Sequence, residues 1–388
     1  MGEVESLLLV LALIYIGECF IWVRRGGLGF GSWWGRTFHI LHPGALPGNQ
    51  RGGLFPANPL PPLGAVYFSQ LIPMSLSPDR AYSYSSASLD HAVRPVQTPR
   101  CLPYEAILDV EVRGRKVLVN GEAFFAAISG VSAGHWASRL NLLRKLSLPA
   151  RHKEIKGFLC ADLDVEKASR QVQDARPLTR PVRILSNTLF IYLFLVVVPL
   201  VSRFGFGLFG LWLLAGMLVQ TVSIAFLFRR AHLALFPESG DERLKAFLTM
   251  LLAPPVAIRA PDLLALHLLE KSHPLAAAKV LCRPRTFQNL ARRVLLDLRY
   301  PFLPVCPTTD AAAVAAEEWF RAAALETIEG FVQRMGFPPK DLTGPPARAD
   351  QTNQSYCPRC DAQFVIASGN CPDCGGRALH RFNPLAPD

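Results

Sequence analysis

Two apolar stretches joined by a short, singly charged connection constrain this chain more than any other feature. Residues 184–201 read ILSNTLFIYLFLVVVPLV and residues 204–228 read FGFGLFGLWLLAGMLVQTVSIAFLF, with Arg203 the only charge between them. Each matches the roughly 17–25 apolar residues that cross a hydrocarbon layer about 30 Å thick. In such a layer the backbone must satisfy its own hydrogen bonds, so both read as helices, and the short connection makes them a hairpin. A third stretch, residues 4–23, carries LLLVLALIYIGECFIWV and is near the minimum spanning length. Glu3 and Glu5 mark its start and Arg24 and Arg25 follow it. A cleavable signal peptide has the opposite, basic start, so this stretch reads as an uncleaved anchor.

Composition and charge support that reading. Half of the 388 residues are hydrophobic and the mean hydropathy is +0.23, both high for a soluble domain. In a membrane protein a net charge of +11 reflects cytoplasmic loops rich in Lys and Arg. Arg24 and Arg25 follow the first stretch, Arg176, Arg180 and Arg183 precede the hairpin, and Arg229 and Arg230 follow it. The positive-inside rule then places the N-terminus outside and residues 24–183 and 229–388 in the cytoplasm of a bacterial-type inner (plasma) membrane. A basic balance alone does not name its anionic partner, and the membrane surface is preferred here to nucleic acid. Glu18 and Gln220 are polar residues within the spans. Glu18 sits near the cytoplasmic end, where it can reach the interface and pair with Arg24 or Arg25. A transporter usually needs broken helices and paired charges at the midplane, so a small transporter or channel subunit is an alternative and not the leading reading.

Between the first span and the hairpin lie two kinds of sequence. Residues 24–63 are rich in Gly, Pro and aromatics, which suggests an extended juxtamembrane segment. Its GGLGFG run lacks the full dinucleotide fingerprint. Residues 64–183 read as an α+β domain. Strands are expected at 106–112, 116–119 and 122–128, with Asn120-Gly121 as a two-residue hairpin turn. A helix over 133–146 places Trp136, Leu140, Leu143 and Leu146 on one face. A β-meander closed by an amphipathic helix resembles the pleckstrin-homology-like modules found beside bacterial membrane spans, a likeness covering about 45 residues by pattern.

That junction also holds Gly130-Val131-Ser132-Ala133-Gly134, a G-x-S-x-G match between strand and helix. In α/β-hydrolases this context exposes a nucleophilic Ser, followed in chain order by Asp or Glu and then His. Asp162 and Asp164 lie downstream, but no His separates them from the next span, and His135 and His152 come too early. The preceding strands also read as antiparallel. Ser132 is therefore kept as an alternative nucleophile of a membrane-associated serine hydrolase, and the plain reading is a helix N-cap.

Residues 239–336 turn helical, with candidate helices at 241–252, 261–271, 274–281, 284–298 and 309–335, three of them opened by proline. The run AFLTMLLAPPVAI, residues 246–258, is too short to span and is broken by Pro254-Pro255, which suits a buried or interfacial segment. Lys279, Arg283, Arg285, Arg292, Arg293 and Arg299 form a basic stretch opposed only by Asp297. A solvated face is the plain reading. Anionic lipid head groups at Arg283, Arg285, Arg292 and Arg293 are the functional one, and nucleic acid is third in the absence of interleaved stacking aromatics. Residues 337–355 are polar and Pro-rich and read as a linker.

The C-terminal segment 356–383 carries the sharpest motif. Cys357-Pro358-Arg359-Cys360 and Cys371-Pro372-Asp373-Cys374 are two C-P-x-C knuckles ten residues apart. Two-residue spacing lets both thiolates of a knuckle face one ion, and the other five cysteines are scattered without a disulfide-like pattern. The segment resembles the zinc-ribbon family, with all four ligand positions matched and Asp361 where a Gly often stands. The resemblance implies a structural Zn²⁺ on Cys357, Cys360, Cys371 and Cys374, a closed site with no open position for substrate. His380 is a possible substitute ligand. A rubredoxin-type iron centre and redox use of the pairs fit the short spacing and the absence of a βαβ pattern less well. The expectation is an α+β membrane protein with three transmembrane helices, a cytoplasmic meander, a helical cytoplasmic region and a ribbon. Its expected role is that of a non-enzymatic scaffold or adaptor with a protein partner at the ribbon.

Overall fold

The computed structural model describes strands at residues 28–31, 51–56 and 65–72. It also describes residues 74–382, apart from 84–99, 115, 127–129, 206, 238–239, 253, 259, 262–263, 265–267, 269–271, 282–283, 301–310 and 375. The predicted first span at 4–23 lies outside the described residues. Among them, two helices are long and apolar enough to cross a membrane, so three spans are not supported.

Helix and sheet are mixed along the chain. Strands β1 (Leu28–Gly31), β2 (Arg51–Pro56) and β3 (Ala65–Ile72) make an antiparallel sheet in the order β1-β3-β2, where an irregular segment was expected. Strands β4 (Met74–Leu76), β5 (Arg80–Ser83) and β6 (Arg100–Pro103) form a second sheet. The meander is β7 (Val110–Arg113), β8 (Lys116–Val119) and β9 (Glu122–Ala126). Its turn behaves as its residues demand: Asn120 and Gly121 both take positive φ, 54° and 80°, as a primed two-residue hairpin requires. The Asn120 side chain adds a clamp, accepting from the N–H groups of Leu108 and Asp109 and donating to the Ala106 carbonyl. That clamp holds 106–109 out of the ladder, so the first strand is shorter than expected.

Helices α1 (Gly130–Leu143) and α2 (Leu148–Asp162) follow. A helical rod comes next: α3 (Val165–Ile191), a π-helical turn at Tyr192–Val197, and α4 (Val198–Phe204). Its partner is α5 (Leu208–Leu235). Beyond them lie α6 (Gly240–Leu252), α7 (Pro254–Ile258), α8 (Pro274–Leu281), α9 (Pro284–Arg299), α10 (Ala311–Arg334) and α11 (Pro339–Leu342). Most of the expected helix 261–271 is outside the described residues.

Among the described residues outside the ribbon, two large cores stand out. The first joins Tyr104, Val117, Phe125, Trp136, Leu140, Ile155 and Leu159 to Leu275, Phe287, Leu290, Phe320, Ile328 and Phe331. The sequence before the hairpin and the sequence after it therefore close one hydrophobic core, and the hairpin is inserted into that unit. A buried ion pair marks the seam: Arg139 grips Asp162 with contacts of 2.6 and 3.0 Å, and the Asp162 carbonyl accepts from the His273 N–H at 2.7 Å. Lys156 pairs with Glu326, and the His152 ring packs on Trp319. No pleckstrin-homology fold is shown: β7 and β8 of the meander pack on α1, and the core around them extends to α8, α9 and α10.

The second core lies between the two long helices and α6–α7, with Val182, Leu189, Ile224, Phe228, Met250, Ala257 and Ile258 at its centre. Only 17% and 28% of the apolar windows of the long helices are buried, unlike the core helices of a soluble protein. Ile184, Ile191, Leu195, Leu211, Trp212, Leu218 and Val219 are exposed along them. Tyr192 fastens the pair: its hydroxyl donates to the Leu213 carbonyl at 2.9 Å. Gly216 makes room for that phenol, since a Cβ there would lie 2.6 Å from the Tyr192 oxygen.

Candidate metal centre

The ribbon is five two-residue strands. β10 (Ser355–Tyr356) pairs with β11 (Gln363–Phe364) and with β14 (His380–Arg381), while β12 (Asn370–Cys371) pairs with β13 (Arg377–Ala378). So few residues cannot bury a core of their own. What stands in its place is the cysteine cluster, with Phe364 and Leu379 packed on it.

The four expected ligands converge. The sulfurs of Cys357, Cys360, Cys371 and Cys374 all lie within 4.8 Å of one another, and Cys360 and Cys371 are 3.7 Å apart. A tetrahedral ion with metal–sulfur bonds of about 2.3 Å sets its sulfurs about 3.8 Å apart, so the donor set fits a metal ion. His380 is not in the cluster. Its ring lies between Tyr300 and Tyr356, 5.8 and 5.9 Å away. Burial pushes the Cys360 and Cys371 thiols above their ordinary range. At Cys357 burial also pushes upward, but the backbone N–H groups of Cys360 and Arg359 aim at the sulfur and hold it below that range. N–H groups directed at a sulfur favour the thiolate, which is the form that binds metal.

The knuckle after Cys360 holds Asp361 at φ +60°, a left-handed conformation that Asp tolerates better than most side chains. Its carboxylate has a use that glycine would lack. Arg292 of α9 grips it through both oxygens, at 2.7 and 3.0 Å, and the same guanidinium donates to the carbonyls of Leu342 and Gly344. The segment read as a linker is thus fastened to the core at its start, and Gln363 holds Ala347 and Ala349 further on.

Beside this lies a second, buried contact. Arg293 donates to the Arg359 carbonyl at 2.9 Å. Asp297, whose side chain is 1% exposed, sits 3.5 Å from Arg293 and 3.0 Å from Arg359. Arg359 in turn reaches the Cys374 sulfur at 3.7 Å. Burial pushes the Asp297 carboxyl up to about 7, against the pull of Arg293 and Arg359. The chain of contacts Asp297–Arg359–Cys374 therefore ties the metal-type site to α9. Sequence reasoning missed it, although Asp297 was visible as the single acid in a basic stretch.

The remaining expected sites are dispersed. Arg292 and Arg293 face the ribbon, Arg285 is exposed, and Arg283 is outside the described residues. Ser132 lies inside the first turn of α1, not at its cap, and is 2% exposed. Asp162 is taken by Arg139 and His152 by Trp319. No family model matches the chain, and no curated protein or solved structure was found that is similar to it.

Proposed function

We propose that the chain is a membrane-anchored, non-catalytic scaffold or adaptor whose ribbon holds one structural Zn²⁺ and presents a rigid surface to a protein partner. The convergence of four cysteine sulfurs within 4.8 Å of one another carries this reading. A site of four thiolates leaves no position open for a substrate, and zinc suits an all-thiolate tetrahedral site in a reducing cytoplasm. Val365 and Ile366 are exposed on the connection between β11 and β12, and large apolar side chains held out on a small metal-tied ribbon suit protein recognition better than a phosphate backbone. The exposed, apolar pair of long helices is the anchor, in a bacterial-type inner membrane. The arginines at their inner ends put both halves of the soluble core and the ribbon in the cytoplasm. The burial of Ser132 gives a hydrolase no support.

The test is affinity capture of the full chain in mild detergent, comparing wild type with a Cys371→Ser/Cys374→Ser variant. The expected result is a stable protein partner captured by the wild type and lost with the double substitution. A partner retained by the variant, or none at all, would contradict the adaptor reading.

A further inference from the structure

The run 246–258 supplies the second half of α6 and all of α7, and these pack against the inner ends of the long helices. We infer that α6–α7 is a re-entrant membrane element, entering the inner leaflet and leaving by the same face, with lipid acyl chains as the partner of its outer surface. This rests on the membrane reading of the two long helices.

The hairpin supplies a ruler. Its turn is marked by Gly205, at φ +72°, and Gly207. Arg183 precedes Gly205 by 22 residues and Arg229 follows Gly207 by 22. At a rise of 1.5 Å per residue each lies about 33 Å from the turn, roughly one hydrocarbon thickness, so both arginines stand at the inner interface. Ser186 and Phe226 are each 19 residues from the same glycines, about 28 Å along, just inside that boundary. Both residues touch the α6–α7 unit, as does Arg229 at the boundary itself, whose guanidinium lies 5.8 Å from the Phe247 ring centre. The Ser186 hydroxyl donates to the Ala257 carbonyl at 3.0 Å, and the rings of Phe226 and Phe247 meet at 5.6 Å. Contacts from two different helices thus bring α6 and α7 to one level, at the edge of the hydrocarbon.

The chemistry of the unit fits that level. Met250, Ala257 and Ile258 face the long helices, while Leu244 and Leu248, one helical turn apart, point outward at 59% and 47% exposure. Lys245, beside them on the exposed face, can reach the head groups. Helix α6 has 13 residues, about 20 Å, too short to cross. Pro254 and Pro255 lack the backbone N–H groups that would continue the helix, so the ladder is broken at this depth. Backbone broken inside a membrane persists only where its polar groups find protein partners. Ser186, fully buried, supplies one to Ala257.

The test is photolabelling of the full chain in phospholipid vesicles with an apolar diazirine reagent dissolved in the bilayer, read peptide by peptide by mass spectrometry. The expected result is label on Leu244–Ile258 at a yield comparable to residues 184–201 and 208–228, with α2 at background. Label on the long helices but not on 244–258 would overturn this inference and leave the membrane reading standing. Label on none of them would overturn both.

Discussion

Asp361 occupies a position where glycine would be easier on the backbone, and its carboxylate explains why. The bidentate contact with Arg292 gives it a docking role, partly exposed and so contributing modestly. Asp361→Gly is expected to keep the bound metal and to loosen the ribbon on α9 without releasing it, since Arg293 and Asp297 still hold Arg359, seen as faster hydrogen exchange at the residues flanking Arg292 with an unchanged metal content. Asp297 lies deeper and matters more. Asp297→Ala leaves the Arg293 and Arg359 guanidiniums without their buried acid partner and is expected to lower the midpoint in thermal unfolding. The pH dependence has a definite sign. A carboxyl raised from 3.8 to about 7 in the folded chain binds more protons folded than unfolded across that window. Its contribution is therefore complete below about pH 4 and fades as the pH rises to 7. Asp297→Asn should flatten that part of the stability profile.

At the scale of elements, the pairing of the long helices depends on a hydroxyl and an absent methyl. With no hydrophobic drive between helices in lipid, close approach and interhelical hydrogen bonds decide association. Gly216→Ala pushes a Cβ into the Tyr192 phenol and is expected to weaken the pair by about 1–3 kcal/mol. Tyr192→Phe in the same chain should restore part of the loss by removing the clashing oxygen. The difference is measurable as a double-mutant cycle on detergent-solubilised protein. The elements themselves were largely legible in the sequence. Apolar length announced the long helices, Asn120-Gly121 announced the hairpin, and Pro274 and Pro284 stand at the starts of α8 and α9. Helix α2 and the extension of α3 back to Val165 were not legible, because their polar faces mask the apolar period and Pro177 and Pro181 argue against a helix that nevertheless forms.

For the whole molecule, what the sequence concealed is partnership at long range. Phe287 and Phe331 meet Leu140 and Ile155 in one core across an inserted hairpin, and no local pattern records that. The four cysteines were legible from spacing alone, whereas Asp297 and Arg359 became a supporting shell only once α9 and the ribbon lay side by side. One shared core predicts that Phe287→Ala, at about 3–5 kcal/mol, raises protease sensitivity in α1 and α2 as well as in α9, and not in α9 alone. The central claim is that the ribbon is built around a single zinc ion. It is tested most directly by elemental mass spectrometry of the full chain purified in mild detergent. The account predicts one zinc per chain, lost in Cys371→Ser/Cys374→Ser. Iron in its place, or a metal content that the double substitution leaves unchanged, would contradict it.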